Sequence, residues 1–544
     1  MSRPIEHYGL IGDTETAALV GADGSIDWLC LPRFDSGACF AALLGGPEHG
    51  RWRIAPADAG AATRRRYRGD TLVLETEFRT GTGAARLIDF MSPRPDTQSG
   101  EIDLVRIVEG ISGQVEMEME LAIRFDYGSV VPWVTRREGR LQAVAGPDAL
   151  TLDTPVETRG EDLRTVAEFT VREGQQVPFV LAWHPSHLPA PDPIDARATL
   201  SHTQDWWETW ISRCRFQGEH REAVFRSLIT LKALTYRPTG GILAAPTTSL
   251  PEELGGVRNW DYRYVWSSPV RIGNAASVQT QMDVYGEVID ALWLARSHGL
   301  EPEQGAWELQ RSLLEYLEGN WQAPDHGLWE MRGPRRAFTH SRVMSWVAFD
   351  RAVRTVERSR LEGPVERWRE IRREIRADVL AHGYDSNRNT FVQTYGAEEV
   401  DAALLLIPQV GFLPPTDPRV RGTIDAVIED LGVDDILVRR YANEAVDDGL
   451  PGGEGAFLLC SFWLVDALAL AGRVPEARRR FRGLLDLRND LGLLSEEYDV
   501  AGGRMLGNFP QAFSHVGLID CAHTLQDVTK SAAASRGGIG PHGD

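Results

Sequence analysis

The chain has 544 residues, 42% hydrophobic and 25% charged, which is globular in composition and too long for a single core. Its formal net charge of −20 makes a nucleic acid or an anionic membrane surface a poor partner. No apolar run reaches the length needed to cross a bilayer.

The opening MSRPIEHYGLIGDTETAALV has no basic stretch followed by a long apolar run, so a secretory leader is not expected. Five cysteines, Cys30, Cys39, Cys214, Cys460 and Cys521, are scattered and odd in number. They are expected to be reduced and mostly buried thiols, which agrees with a cytoplasmic location.

The first two hundred residues read as β structure. Short runs such as TLVLETEFRT, LVRIVEGI, VEMEMELAIRF and VPFVLAWH are rich in β-branched and apolar residues, with Gly, Pro and Asp between them. Many strands without intervening helices imply a sandwich over residues 1–200. APDPIDARA reads as a linker, and a linker helix, TQDWWETWISRC, falls within 201–218. From 219 to 530 the pattern is helical, with ten further candidates beginning at HREAVFRSLITLKAL and ending at FPQAFSHVGLIDCAHTL. In SRVMSWVAFDRAVRTV, Val343, Trp346, Val347, Val353 and Val356 recur near one face. GAFLLCSFWLVDALAL is apolar almost all round and predicts an inner, fully buried helix. The helices alternate between apolar and charge-faced, as in a two-layered helical ring. The Gly- and Ala-rich tail, 531–544, reads as disordered.

Splitting a glycosidic bond needs one carboxyl group to protonate the leaving oxygen and another to activate water or attack. Two segments place carboxyls beside aromatics after a helix and a Gly-containing turn: DHGLWEMRG, with Glu330 after Trp329, and LGLLSEEYD, with Glu496 and Glu497 before Tyr498. Among 78 acidic residues, a Glu beside an aromatic is more often a solvated turn residue. His326, His340 and His515 read as hydrogen-bonded scaffold residues. No HExxH or Cys/His cluster is present, and LPGGEGAF lacks the spacing of a phosphate loop, so neither a catalytic metal nor a cofactor is expected.

The segments YGLIGDTETAALVGADGSIDWLCLPRFDSGACFAALL, RNWDYRYVW, PVRIGNAASVQTQMDVYGEVIDAL, DHGLWEMRG, LPGGEGAFLLCSFWLVDAL and LGNFPQAFSHVGLI together resemble glycoside hydrolase family 15 along nearly the whole chain. The resemblance implies an amino-terminal β-sandwich, a catalytic (α/α)6 barrel and hydrolysis of α-glucosides with inversion. It implies Glu330 as general acid and Glu496 as general base, with Glu497 as a hydrogen-bonding neighbour. Trp260, Asp261, Trp329 and Arg440 would meet the sugar. Asp261 could equally cap a turn, and Arg440 could equally form a surface salt bridge. Cleavage of trehalose is the leading expectation, with glucoamylase-like release of glucose from α-glucans and carbohydrate binding by a catalytically impaired relative as the alternatives.

One departure stands out. The family pattern continues after RNWDYRYVW with an arginine-aspartate pair in WxRDA, then further helix and loop. Here the text runs from Trp266 through Ser267 and Ser268 to Pro269. A missing helical pair corresponds to roughly forty to sixty residues. It would leave the ring notched, with apolar side chains exposed that favour self-association into a homo-oligomer or aggregate.

Overall fold

The computed structural model describes residues 3–58, 60–93, 102–253, 259–261, 279–300, 304–359, 361–442 and 453–537. For Ser249, 259–261 and 531–537 the backbone alone is described. Two compact units form: Met1–Ser267 with Leu487–Ala522, and Ser268–Asp486 with His523–Asp544.

The first unit opens with fifteen strands joined in one antiparallel hydrogen-bonded network. Its axis is a single strand of 21 residues, Ile102–Ala122. One half pairs with Gly83–Met91 and Gln176–Pro185, the other with Arg51–Pro56 and Arg164–Arg172. LVRIVEGI and VEMEMELAIRF therefore belong to one strand. Gly110 and Gly113 between them accommodate a register shift and close backbone approach rather than a turn. The sheet folds over there, so that Gly24 of one layer lies against Phe78 and Leu87 of the other. The expected β-sandwich is thus present.

A buried ion pair bridges the layers. Arg106 and Asp89 are cross-strand partners with fully buried side chains. Arg106 Nε donates to Asp89 Oδ1 at 2.7 Å, and its other nitrogens donate to the carbonyls of Trp52 and Gly24. Burial pushes the Asp89 carboxyl up, against the pull of Arg106. Removing one partner leaves an uncompensated buried charge, which costs about 3–5 kcal/mol. Arg106→Met is expected to lower unfolding free energy by about that amount; a urea midpoint equal to that of the parent would refute this.

Helices follow the strands. They are α1 (Ala196–Ile211), α2 (Arg221–Ala233), α3 (Asp283–Ser297), α4 (Gln304–Asn320), α5 (Thr339–Arg358), α6 (Val365–His382), α7 (Leu406–Gln409), α8 (Pro418–Leu431), α9 (Leu458–Leu470), α10 (Val474–Asp486) and α11 (Ala512–Gly537). The expected linker helix starts earlier than TQDWWETW, because Asp195 caps it by accepting from the amides of Arg197 and Ala198. α9 is buried on nearly all sides, as its composition predicts. α5 differs from its periodicity: every residue from Thr339 to Val353 is buried. Its charged members are matched, with Arg351 paired to Asp290 and Asp350, and Arg342 donating to carbonyls of 321–323. The tail is not wholly irregular, since α11 runs on to Gly537 through an alanine-rich stretch of high helix propensity. Residues 538–544 lie outside the described residues.

Among the described residues no helix is long and apolar enough to cross a membrane. Of the five cysteines four are buried and Cys214 is half-buried.

Candidate active site

Each glutamate sits in its own unit, and each is held by its own scaffold. In the second unit, Glu330 lies on the loop between α4 and α5. It is exposed, and its backbone is left-handed, φ +55°. A non-glycine residue in that region is strained and must be held by its neighbours. Its amide donates to the carbonyl of Gly327 at 3.2 Å. The Gln279 side chain donates to the carbonyls of Glu330 and Met331 at 3.0 and 3.2 Å. Gly327 is itself left-handed, and a Cβ there would lie 2.9 Å from the Phe338 ring.

The run Gln279–Asp283 clasps the same loop at further points. The Met282 amide donates to Asp325 Oδ2 at 2.8 Å, and the Thr280 amide donates to His326 Nδ1 at 3.3 Å. His326 is thus a scaffold acceptor. Burial pushes the Asp283 carboxyl up to about 7, with Asp325 and Glu330 adding like-charge repulsion. His340, fully buried at the start of α5, is pushed down to about 4 by that burial and is neutral.

Trp329 is half-buried in an aromatic nest. Its ring lies 5.9 Å from Phe457, 5.9 Å from Trp463 and 6.5 Å from Tyr441. The Arg440 guanidinium stands over Trp329 at 5.6 Å and over Phe457 at 5.2 Å. Arg440 pairs with Glu454 in a bridge whose side chains are 11% and 0% exposed. The surface salt bridge weighed for Arg440 is therefore a buried one, with its carboxylate supplied by LPGGEGAF. Trp329 Nε1 donates to both oxygens of Asp401, at 3.0 and 2.9 Å.

In the first unit, Glu496 and Glu497 are buried where the strand Glu497–Asp499 begins, which pairs antiparallel with Arg504–Leu506. Glu496 Oε2 accepts from the Asn508 amide at 2.9 Å, and the Glu496 amide donates to the Asn508 carbonyl at 3.1 Å. Asn508 is fixed in turn by the Thr247 hydroxyl, which donates to its Oδ1 at 2.9 Å. The Glu497 carbonyl accepts from Ser495 Oγ at 2.7 Å.

The start of α11 grips the strand leading into Glu496. The Gln511 amide donates to the Leu494 carbonyl and Ser514 Oγ to the Ser495 carbonyl. His515 Nε2 accepts from the Leu494 amide, so its Nδ1 carries the proton and donates to Ser227 Oγ at 2.9 Å. Burial, with Arg488 and Arg226 adding to it, pushes His515 down to about 3 and keeps it neutral. Asn489 stitches this segment to the first strand. Its Nδ2 donates to the carbonyls of Glu6 and Tyr8, while its Oδ1 accepts from the amides of Leu491 and Leu493. The β domain therefore helps to place Glu496.

Gly507 leaves the space in which the Glu496 side chain lies. Its φ is +71°, and a Cβ would sit 2.7 Å from Glu496 Oε2. Gly507→Ala is expected to displace that carboxylate and to cost about 1–2 kcal/mol of backbone strain. If Glu496 is the base, turnover should fall at least tenfold while the thermal transition moves only a few degrees. Unchanged turnover would refute the steric role.

Trp260 and Asp261 lie on the strand Asn259–Asp261, which pairs with Thr248–Pro251. Their side chains, and the join at Ser267 to Pro269, lie outside the described residues. Sequence reading missed Asp401, Glu454, Asn489 and the acids Asp283 and Asp325. The usable signal for Asp401 and Glu454 was a lone acid just ahead of an apolar run, in DAALLLIP and EGAFLLC.

A glycoside hydrolase needs two carboxyl groups. The chain belongs to the glycosyl hydrolases family 15, whose model matches residues 218–268 and 267–523. A trehalase-like N-terminal domain model matches residues 1–184. The chain is 36% identical over 610 aligned positions to a trehalase of Mycobacterium tuberculosis, covering 95% of this chain and 89% of that protein. It is 33% identical over 590 positions to a trehalase of Thermoplasma volcanium, covering 96% and 94%.

Proposed function

We propose that this glycoside hydrolase cleaves trehalose with inversion, using Glu330 as general acid and Glu496 as general base. Glu330 protonates the glycosidic oxygen as the bond to C1 breaks. Glu496 takes a proton from the water that attacks C1 from the opposite face, and two glucose molecules leave. The observation that carries the reading is the fixation of Glu496: a buried carboxylate whose Oε2 is tied to the Asn508 amide, behind a glycine that leaves room for it. The similarity to trehalases over nearly the full chain favours trehalose over longer glucans.

In this reading Trp260, Asp261, Trp329 and Arg440 meet the sugar, and Glu497 supports the base. The helices over 219–530 follow an (α/α)6-type barrel short of one helical pair. An inverting pair must leave room for a water, so the two carboxyls should stand about 6.5–9.5 Å apart in a crystal structure. Few, scattered and mostly buried cysteines suit a reducing cytoplasm.

The test is to incubate the purified chain with trehalose and with maltooligosaccharides, following released glucose and its anomer by NMR. Trehalose cleavage giving one β- and one α-glucose is expected. Release of glucose from maltooligosaccharides alone would replace trehalose by an α-glucan, and retention of the α-anomer at both sugars would exclude inversion.

A further inference from the structure

We propose that Asp401 is a positioning residue for the acid loop, holding Trp329 by its indole and thereby Glu330 beside it. The inference rests on the reading of Glu330 as the general acid.

Asp401 is 5% exposed and lies at the start of the short helix Ala402–Leu405, which it caps. A buried carboxylate is costly unless its oxygens are filled with donors. Here they are filled from three separate segments. Trp329 Nε1 is shared between Oδ1 and Oδ2, the Ala403 amide donates to Oδ1 at 2.7 Å, and Gln393 Nε2 donates to Oδ2 at 2.9 Å. Burial pushes this carboxyl up, and the Gln393, Trp329 and Ala403 donors with the Arg440 charge pull it back down. Capping a helix needs only one oxygen. The second oxygen, shared between Gln393 and the indole, has no helical purpose, and the indole bond acts on the residue adjoining Glu330.

The geometry of Glu330 explains why such an anchor matters. Its left-handed backbone does not hold itself, since any relaxation toward negative φ would swing the side chain away. On the carbonyl side Gln279 holds the loop. On the amide side the Gly327 carbonyl accepts from Glu330, and the preceding residue, Trp329, is tied through its indole nitrogen to Asp401. An asparagine at 401 keeps the size but turns one acceptor into a donor. Its NH2 must then face either the Ala403 amide or the Gln393 amide, and with either of them one side of the shared indole N–H, as a like group.

The experiment compares two substrates. Trehalose needs a protonated leaving oxygen, whereas α-glucosyl fluoride loses fluoride without a proton. A residue that acts through the acid should therefore change the ratio of the two kcat values. Asp401→Asn, Trp329→Phe and the double variant are measured on both substrates with the full chain. Each single variant is expected to lower the trehalose-to-fluoride kcat ratio by about tenfold or more. The double variant should be no worse than the worse single, because both remove the same tether. Loss of sugar stacking at residue 329 would appear in KM for both substrates and leave the ratio alone. If Asp401→Asn does not fold, the ratio in Trp329→Phe decides. Equal kcat losses on both substrates, or multiplying effects in the double variant, would overturn the inference. Glu330→Gln is run beside them: undiminished trehalose turnover there would instead overturn the acid assignment itself.

Discussion

Glu496→Gln is expected to suppress hydrolysis of trehalose and of α-glucosyl fluoride alike, by about 10²–10⁴ in kcat. Both reactions need an activated water, and an amide cannot take its proton. Glu330→Gln is expected to lower trehalose turnover by a similar factor while leaving most of the fluoride reaction. The two glutamates are thus separated by role, although each substitution is isosteric. The structural settings fit this division. Glu496 is buried, and its Oε2 is oriented by a backbone amide, as a base that must aim at one water requires. Glu330 is exposed on a strained turn, where it can meet a leaving oxygen and exchange its proton with solvent. Near-parental trehalose turnover in either variant would exclude that glutamate from catalysis. Loss of the fluoride reaction in Glu330→Gln to the same extent as in Glu496→Gln would exclude the acid role alone.

The β part and most helices were readable because their apolar periodicity is local. What was not readable depends on partners remote in sequence. Gly110 and Gly113 look like turn residues until the opposing strand Gly83–Met91 is known, and then they mark a shift in register within one long strand. α5 looks one-sided because Arg342, Asp350 and Arg351 are charged. Their burial becomes tolerable only through carbonyls at 321–323, Asp290 and Arg372. In the candidate site the two glutamates stood in recognisable motifs, but what holds them did not. Asp401 serves Trp329 across more than seventy positions of sequence. Asn489 serves backbone groups of residues 6 and 8. Such residues carry no motif of their own, since a single carboxylate or amide gains its role from the donors the fold delivers to it.

The join at 267–268 leads to the other large effect. The family model matches in two stretches that meet there, 218–268 and 267–523. Against the Mycobacterium tuberculosis trehalase, 95% of this 544-residue chain is about 517 residues, leaving about 93 of the 610 aligned positions without a residue of this chain. We infer that most of these correspond to one absent segment at the join. The first described helices beyond it carry apolar side chains toward solvent. On α3, Val284 is 46% exposed, Val288 38% and Leu294 44%; on α4, Leu309 is 58% and Tyr316 45%. Val284, Val288 and Leu294 recur roughly every turn or two, as on a helix face that packs against a neighbour. An uncovered face of this kind favours association between copies. The purified chain is therefore expected to self-associate with concentration in light scattering, and Val284→Asp with Val288→Lys to reduce that association. Catalysis should suffer as well. The resemblance places an arginine-aspartate pair for sugar hydroxyls in the absent stretch, and each lost hydrogen bond of that kind costs about 1–3 kcal/mol. Two such losses lower kcat/KM by about a hundredfold or more. Restoring the corresponding segment of a relative between Trp266 and Pro269 should raise trehalose hydrolysis by that factor and render the protein monomeric. Hydrolysis by the 544-residue chain at the rate of its segment-bearing counterpart would refute the inference, as would a monodisperse monomer at high concentration for the exposed face.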